Sequence, residues 1–461
     1  MKFLLLRPGL NRKTSFFMNQ SNYPPLGLLY IGAALERDGH KVEIIDFCKE
    51  TNAEKHLKKS LISSDVVGIS ICAGNHKSVL DITKIIKQMD PTIPIIIGGP
   101  DNIYFPERSL NDIPAANISV WGEGEQVIID IARFLEGKKN LPEIPGIYYK
   151  EDNIIKKGKA IEIIKDLDSL DFPARHLTDK YEYGIRNNQY LFKPKFTSME
   201  TSRGCPYHCR FCMRPNNSIP GYGFRQRSAE NVVKEIMEIN RTYSSVVIVD
   251  DNFLANKKRA IDIFQKLIDN KTDIHLIIQG ARVDSADPEL YKKMKKANVR
   301  LISYGLESGN QDVLDYYNKN FTLDQVRRAI KLSRKMGFIT LGTFILGAPI
   351  ETEGHIKNTI KFAYSLPLDI ALFIPLGYAR GSPLWIDAVK DNKIKEDECN
   401  VTADSHRNLG NFTSDELTEK TYKIEKNFYL RPRYIFDQIY LSIRRRNFDL
   451  LKNGFHFITS F

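Results

Sequence analysis

The strongest constraint on the fold is a regular alternation of short apolar segments with longer amphipathic ones, found in two parts of the chain. Strands that alternate with helices build parallel sheets, because each helix returns the chain to the edge where the next strand begins. Over residues 1–150, five apolar segments predict strands: Lys2–Leu6, Val42–Ile45, Val66–Ser70, Ile95–Ile97 and Ile118–Val120. Five such units predict a doubly wound, Rossmann-like α/β domain.

The alternation resumes after a polar, turn-rich segment, residues 151–194, which we interpret as a linker with a short hairpin. The helices between the next strands have visible caps, at Ser228 and Thr322. The repetition predicts a partial (β/α)6 barrel over residues 195–385, with its chemistry at the carboxyl ends of the strands. A small helical C-terminal region, residues 386–461, follows. The six predicted barrel strands are Phe196–Glu200, Val246–Val249, Ile274–Ile278, Arg300–Tyr304, Ile339–Leu346 and Ile370–Ile374.

Composition and charge exclude several classes of protein. With 42% apolar and 27% charged residues in 461, the chain is too apolar for a disordered protein. Of the net charge of +11, +5 comes from residues 426–461, which hold seven basic and two acidic residues. The remainder is only mildly basic, which argues against a nucleic-acid partner. The apolar run Phe338–Ile350 is too short to span a membrane, and Met1–Leu6 predicts a strand rather than a signal peptide, so we expect a cytoplasmic protein.

Three of the six cysteines lie in one short loop, directly after the first predicted barrel strand. Cys205, Cys209 and Cys212 have the spacing C-x3-C-x2-C. Soft thiolates this close together favour an iron–sulfur cluster or zinc. A structural zinc site is closed by a fourth protein ligand, and His208 lies between the cysteines where it cannot easily bind the same ion. The loop therefore predicts a cluster with one open iron, with zinc as the alternative.

This loop, with the aromatic Phe211 just before the last cysteine, resembles the signature of the radical S-adenosylmethionine (radical SAM) enzymes. The resemblance implies a [4Fe-4S] cluster on Cys205, Cys209 and Cys212. Its open iron would be chelated by the amino and carboxylate groups of S-adenosylmethionine. One electron, from a partner such as ferredoxin or flavodoxin, would then cleave the sulfonium to a 5'-deoxyadenosyl radical.

Two carboxylates follow the second predicted barrel strand. The resemblance implies that one of them binds the methionine ammonium by a charge-assisted hydrogen bond, with Asp250 as the first choice and Asp251 as the second. The segment differs from the Gly-Gly-Glu form of many members. The alternative role for either carboxylate is to cap the next helix.

Further cofactor contacts are implied at the ends of the next three strands. Arg282 would bind the carboxylate or ribose of S-adenosylmethionine, Glu307 and Ser308 the ribose hydroxyls, and Gly347 would place backbone beside the adenine. Each has a structural alternative. Arg282 could pair with Asp284, and Glu307 could belong to an ion pair within the fold.

The first domain resembles the cobalamin-binding domain that precedes the radical domain in one large subfamily. Small residues at the predicted strand ends carry this resemblance, since glycine lets the backbone approach a flat corrin and its nucleotide tail. No histidine occupies the position of a lower cobalt ligand in Asp46-Phe47-Cys48, so the resemblance implies cobalamin without a protein histidine below it. The implied cobalamin contacts are Ser70, Gly98, Gly99, Gly122 and Glu123.

The resemblance implies a methyltransferase that acts on an unactivated carbon or phosphorus centre of a small-molecule or lipid substrate. Ring-forming or oxidative chemistry on a lipid or tetrapyrrole-like substrate is one alternative. A non-catalytic iron–sulfur or electron-transfer protein is another. Aromatic and basic residues interleave in Phe428–Phe436 and again near Arg444–Arg446. This pattern fits a helix packed on the barrel, and peripheral membrane contact is its alternative.

Overall fold

Two parallel sheets organise the chain in the computed structural model, which describes residues 1–9, 22–72, 74–186, 189–190, 193–213, 219–445 and 448. The first sheet has the strand order β2-β1-β3-β4-β5-β6-β7. Strands β1 to β5 are parallel, while β6 and β7 extend the sheet as antiparallel strands. The bounds are Lys2–Arg7 (β1), Lys41–Asp46 (β2), Val66–Ser70 (β3), Ile95–Gly98 (β4), Ile118–Val120 (β5), Ile147–Glu151 (β6) and Ile154–Lys157 (β7).

Helices cover both faces of this sheet, as the doubly wound prediction requires. In β1, Phe3 and Leu5 pack into one apolar core, whereas Leu4 and Leu6 pack into a second. A strand buried on both faces is apolar at every position, which explains the uninterrupted run that the sequence shows. The helices of this unit are Leu26–Arg37 (α1), Ala53–Leu61 (α2), His76–Met89 (α3), Pro106–Asp112 (α4) and Gly124–Leu135 (α5).

Residues 151–157, assigned to the linker from sequence, belong to the first sheet. Strand β7 pairs antiparallel with β6 across the turn Asp152-Asn153. Both turn residues have positive φ, 51° and 61°, as the favoured two-residue hairpin turns require. Strand β7 is a short edge strand, Ile-Ile-Lys-Lys, whose residues are exposed or only partly buried, so it lacks the longer apolar pattern by which the other strands are recognised.

The second sheet contains the six predicted barrel strands, all parallel, in the order β10-β13-β14-β15-β16-β17. Strands β14 and β15 run three residues beyond their predicted ends, with register shifts near Gly280 and Gly305. The extension places Ala281 and Glu307 inside strands rather than in loops. The bounds are Phe196–Met199 (β10), Ser245–Ile248 (β13), His275–Ala281 (β14), Val299–Glu307 (β15), Ile339–Leu346 (β16) and Ile370–Pro375 (β17).

Short strands and helices complete the second part of the chain. The side chains of Ser228 and Thr322 cap helices as predicted, accepting from the backbone N–H groups of Asn231 and Gln325. The short strands are Ile185–Arg186 (β8), Gln189–Tyr190 (β9), Ser202–Arg203 (β11), Arg225–Gln226 (β12), Gly377–Ala379 (β18) and Asn400–Thr402 (β19). The helices are Ala229–Ile239 (α6), Lys257–Asp269 (α7), Pro288–Lys296 (α8), Gln311–Tyr316 (α9), Leu323–Met336 (α10), Glu353–Ser365 (α11), Pro383–Lys390 (α12), Ser414–Tyr429 (α13) and Pro432–Arg445 (α14).

Helix α13 lies along the open edge of the second sheet. The Tyr429 hydroxyl donates to Ala371 O (2.9 Å) and accepts from Ala371 N (3.2 Å), and the Glu425 carboxylate accepts from Phe373 N (3.3 Å). Side chains thus occupy backbone groups of β17 that a further strand would otherwise pair with. Burial raises the pKa of Glu425 to about 7.

Helix α14 packs one face on the barrel and leaves another exposed. Arg445 pairs with the buried Asp369, and Tyr434 donates to Asp369 O. The predicted packed helix is therefore present, although Arg446 lies outside the described residues. Phe436, Tyr440 and Ile443 on the other face are exposed, Phe436 by 73%.

Contacts within the chain divide it into two units. The first comprises Met1–Tyr183 with Pro215–Arg225, and the second Gly184–Arg214 with Gln226–Phe461. The sequence boundaries at residues 194 and 385 remain predictions. Within the part of the chain that the structure describes, no helix is both long enough and apolar enough to cross a membrane.

Candidate active site at the cysteine loop

The three cysteines lie in a loop whose backbone is held by hydrogen bonds. Cys212 N donates to Cys209 O (3.2 Å), which closes a turn, and Arg210 N donates to Tyr317 O (3.0 Å). Gly204 precedes the first cysteine with φ +77°, a conformation that favours glycine. The loop follows β10 directly, so it begins at the carboxyl edge of the second sheet.

The thiols are close enough to affect one another. Cys209 is buried and the other two are partly buried, and all three are free thiols. Burial, reinforced by the neighbouring Cys209, raises the pKa of Cys212 to about 12, and burial also raises that of Cys205. Metal binding would instead deprotonate them. Among the described residues no three side chains converge on a single-ion site, but a cluster needs none, because each thiolate binds a different iron.

Asp250 and Asp251 have different environments. Both oxygens of the buried Asp250 are engaged: Thr201 N, the Thr201 hydroxyl and the Ser202 hydroxyl each donate to them at 2.6 Å. Asp250 therefore holds the segment that leads into the cysteine loop. Asp251 makes no hydrogen bond to any residue that the structure describes, and desolvation by neighbouring groups, together with Asp250, raises its pKa. Asp251 is exposed, and its charge helps to raise the pKa of Cys205 and of Cys212.

Arg282 is held beside the cysteines by several partners. Its guanidinium makes two-point contact with Asp284, donates to Lys319 O, and lies 3.7 Å from the centre of the Tyr207 ring. Its Nη1 atom is 4.0 Å from Cys209 Sγ. The pairing with Asp284, left open by the sequence, is present, and it engages Nε and Nη2 of the guanidinium.

Glu307 and Lys319 form a buried ion pair, with Lys319 Nζ 2.9 Å from Glu307 Oε1. Burial alone would lower the pKa of Lys319, but Glu307 and Cys209 together hold it above its usual value. The Lys319 ammonium also lies 5.6 Å from the centre of the Phe211 ring, within the cysteine loop. Sequence reasoning missed Lys319. In the sequence, Lys319 is marked only by its position between Asn318 and Asn320, and in the structure both asparagines have positive φ.

Ser308 and Gly347 serve the fold around the site. Ser308 is fully buried, and its hydroxyl contacts the Thr359 hydroxyl (3.2 Å). Gly347 has φ +103°, and a Cβ there would lie 2.6 Å from a methyl group of Leu417. Gly347 N donates to Glu351 (2.7 Å), a residue that the sequence analysis missed. Burial raises the pKa of Glu351 to about 7.

In the first unit, Ser70, Gly98 and Gly99 lie at the adjacent carboxyl ends of β3 and β4, and all three are partly exposed. Gly99 has φ +118°, and a Cβ there would lie 2.7 Å from Ile71 O. The Ser70 hydroxyl makes no hydrogen bond within the described part of the chain. This edge therefore presents partly exposed backbone without side chains at two positions, and a hydroxyl with no partner in the described chain, which fits a flat cofactor with a nucleotide tail. Asp101, next along, pairs with His76.

Gly122 and Glu123 are covered by their own chain. A Cβ on Gly122, which has φ +97°, would collide with Ile161. Glu123 accepts from Ile164 N (2.9 Å) and pairs with Arg225 (2.9 Å). Both residues therefore hold neighbouring segments of the first unit in place, a role that their position after a strand did not reveal.

Comparison with known proteins accounts for both units. Residues 199–363 match the radical SAM superfamily, and residues 20–132 match the B12 binding domain. A protein of Pyrococcus horikoshii named as an uncharacterized methyltransferase is 30% identical over 452 residues, which cover 95% of this chain and 95% of that protein. The chain belongs to the B12-binding radical SAM enzymes. Its cofactors are accordingly a [4Fe-4S] cluster, S-adenosylmethionine and cobalamin.

Two further proteins resemble this radical SAM enzyme over most of its length. The cytidylyl-2-hydroxyethylphosphonate methyltransferase of Streptomyces wedmorensis is 25% identical, with 88% of this chain and 86% of that protein covered. The solved structure of the methyltransferase TsrM from Kitasatospora setae, with cobalamin and a [4Fe-4S] cluster bound, superposes with a TM-score of 0.69 at 17% identity. That match covers 85% of this chain and 75% of the other, and it shows a shared fold.

Proposed function

We propose that this enzyme transfers a methyl group, through cobalamin and radical SAM chemistry, to an unactivated carbon or phosphorus centre of a small-molecule or lipid substrate. The proposal is carried by the combination of two features in one chain. One is a C-x3-C-x2-C loop at the carboxyl edge of a six-stranded parallel sheet, and the other is a B12-binding unit. The names of two relatives that align along most of the chain support methyl transfer, and one of them names a phosphonate.

In the second unit, Cys205, Cys209 and Cys212 would each bind one iron of the cluster. When bound, the cluster supplies the electron that cleaves S-adenosylmethionine to a 5'-deoxyadenosyl radical. Asp251, whose exposed carboxylate lacks a hydrogen-bond partner in the described structure and whose charge acts on Cys205 and Cys212, would bind the methionine ammonium. Asp250 would position the loop through Thr201 and Ser202.

The remaining predicted residues would act around this centre. Glu307 has one oxygen bonded to Lys319, which leaves the other for a ribose hydroxyl. Arg282 would position the loop through Cys209 and Tyr207. Ser308 and Gly347 would contribute backbone geometry, because the Ser308 hydroxyl is engaged and the Gly347 turn is held by Glu351.

In the first unit, Ser70, Gly98 and Gly99 would hold cobalamin, with the Ser70 hydroxyl as a hydrogen-bond partner for its tail. Gly122 and Glu123 would act indirectly: Gly122 leaves room for Ile161, and Glu123 pairs with Arg225, so both would hold neighbouring segments of the first unit in place.

The test measures methyl transfer to cobalamin, which needs no knowledge of the substrate. Enzyme purified without oxygen is given cobalamin, a strong reductant and S-adenosylmethionine with an isotope-labelled methyl group, and the corrinoid and nucleosides are analysed by mass spectrometry. Labelled methylcobalamin together with 5'-deoxyadenosine supports the methyltransferase. 5'-Deoxyadenosine without methylcobalamin would favour ring-forming or oxidative chemistry, and neither product from cluster-loaded protein would favour an electron carrier.

Peripheral membrane contact remains a proposal for the exposed face of α14. Phe436, Tyr440 and Ile443 are exposed there, and Arg433 and Arg444 lie exposed on the same helix. Exposed apolar side chains beside cations suit an anionic lipid surface. Sedimentation with phosphatidylserine vesicles tests it. Phe436→Ser with Ile443→Ser should abolish binding and leave iron content unchanged, whereas binding equal to that of the wild type would end the idea.

A further inference from the structure

Two cationic side chains lie beside the cysteine loop, and one of them approaches its most buried cysteine. Arg282 Nη1 lies 4.0 Å from Cys209 Sγ, within the range of a hydrogen bond to sulfur. The Lys319 ammonium lies over the ring of Phe211, two residues beyond Cys209 in sequence. Arg282 also donates to the backbone carbonyl of Lys319, which ties the turn that carries the lysine to the arginine.

The burial of Lys319 calls for a reason. Its residue is only 5% exposed, and long ammonium side chains are normally kept in water because desolvating them is unfavourable. Glu307 compensates the charge from a strained position, since it has φ +61° at the end of β15. Two left-handed asparagines, Asn318 and Asn320, flank the lysine in its turn. A strained carboxylate and a buried ammonium beside the loop indicate a function at the cluster rather than a packing role.

We propose that the Lys319 ammonium, with Arg282, raises the reduction potential of the cluster bound by Cys205, Cys209 and Cys212. The inference rests on the cluster of the proposed function and adds a positioning and electrostatic role for a residue outside the ligand set. Reduction adds one negative charge to the cluster, and a nearby buried cation stabilises the reduced state more than the oxidised state. Net charge and hydrogen bonds to sulfur are established determinants of such potentials.

The experiment is a redox titration of the cluster, monitored by electron paramagnetic resonance without S-adenosylmethionine. Lys319→Met removes the charge and keeps the chain length. We expect its cluster to be at least tenfold harder to reduce, which corresponds to a potential lower by about 59 mV for one electron. Lys319→Arg should restore most of the shift. The exposed Lys331→Met on α10 removes a lysine from the same unit as the matched control and should leave the potential unchanged.

A second variant guards against misfolding of the first. Lys319→Met with Glu307→Gln leaves no unpaired buried carboxylate, and its potential should lie between those of the wild type and Lys319→Met. Potentials equal to the wild type in both variants, at full iron content, would overturn the inference. Loss of iron from both variants would also overturn it, because the lysine would then serve cluster retention. A wild-type enzyme that binds no cluster would instead refute the proposed function.

Discussion

Replacing Asp250 with alanine and replacing Asp251 with alanine should impair different properties of the enzyme. Asp250→Ala removes the acceptor for three donors, Thr201 N and the hydroxyls of Thr201 and Ser202, each at 2.6 Å. Asp251→Ala removes a carboxylate that makes no hydrogen bond in the described structure. We therefore expect Asp250→Ala to destabilise the fold and Asp251→Ala to weaken binding of S-adenosylmethionine.

The magnitude for Asp250→Ala follows from its partners. A buried donor left without an acceptor costs about 1–3 kcal/mol. The backbone N–H of Thr201 cannot turn to a new partner, whereas the two hydroxyls can rotate toward others. The burial cost that raises the pKa of Asp250 disappears with the carboxyl group and offsets part of the loss. We expect a net loss of about 2–4 kcal/mol, against about 0.5 kcal/mol for Asp251→Ala.

The assay pairs stability with ligand binding. Calorimetric unfolding of the cluster-loaded enzymes gives the change in midpoint temperature, and about 1 kcal/mol corresponds to about 2–4 °C for a unit of this size. Equilibrium dialysis with labelled S-adenosylmethionine gives affinity. A midpoint for Asp250→Ala equal to that of the wild type would refute the role assigned to Asp250. Wild-type affinity in Asp251→Ala would refute the assignment of the ammonium site.

Three further changes test other parts of the molecule. Cys209→Ala should abolish reductive cleavage of S-adenosylmethionine, measured as 5'-deoxyadenosine, and full activity would contradict the cluster assignment. Gly99→Ala should lower stability by about 1–3 kcal/mol and reduce bound corrinoid, because a Cβ at φ +118° meets Ile71 O. A Cβ on Gly98 would lie 3.6 Å from Val120, so Gly98→Ala should leave stability unchanged, and equal stability of the two variants would contradict this. Since the folded pKa of Glu425, about 7, exceeds its ordinary value, the folded state holds an extra proton, so the free energy of unfolding should fall by up to about 3 kcal/mol as pH rises from 4.5 to 7. Glu425→Gln should remove its share of this slope in urea titrations, whereas Glu351, whose pKa is also raised to about 7, should keep its own. An unchanged slope would exclude Glu425 as a source.

The sequence predicted the strand series well because buried parallel strands are apolar at every position. All eleven predicted strands are present, and β10 and β13 each end within one residue of the expected position. Strands β14 and β15 were predicted too short, because Gly280 and Gly305 interrupt the apolar pattern while backbone pairing continues through register shifts. Strand β7 was missed because an exposed edge strand needs no apolar face.

The site was predictable only where chemistry depends on spacing. The three cysteines are identified by spacing alone, since one loop must present all the thiolates. The different roles proposed for Asp250 and Asp251 depend on the burial of the first side chain and the exposure of the second, which two adjacent aspartates do not reveal in sequence. Lys319 was invisible for a similar reason: a lysine between two asparagines is usual for a surface turn, and only the fold buries it against Glu307.

Helix α13 has a consequence for how the polypeptide is made. Helix α13 supplies Tyr429 and Glu425 to the last strand of the second sheet, so that strand stays unprotected until residues 414–429 have been synthesised. Chains fold from the amino terminus as they are made, and an unpaired strand edge invites pairing with other chains. Shortened products that end before α13 should therefore aggregate during expression even though they retain every cofactor ligand.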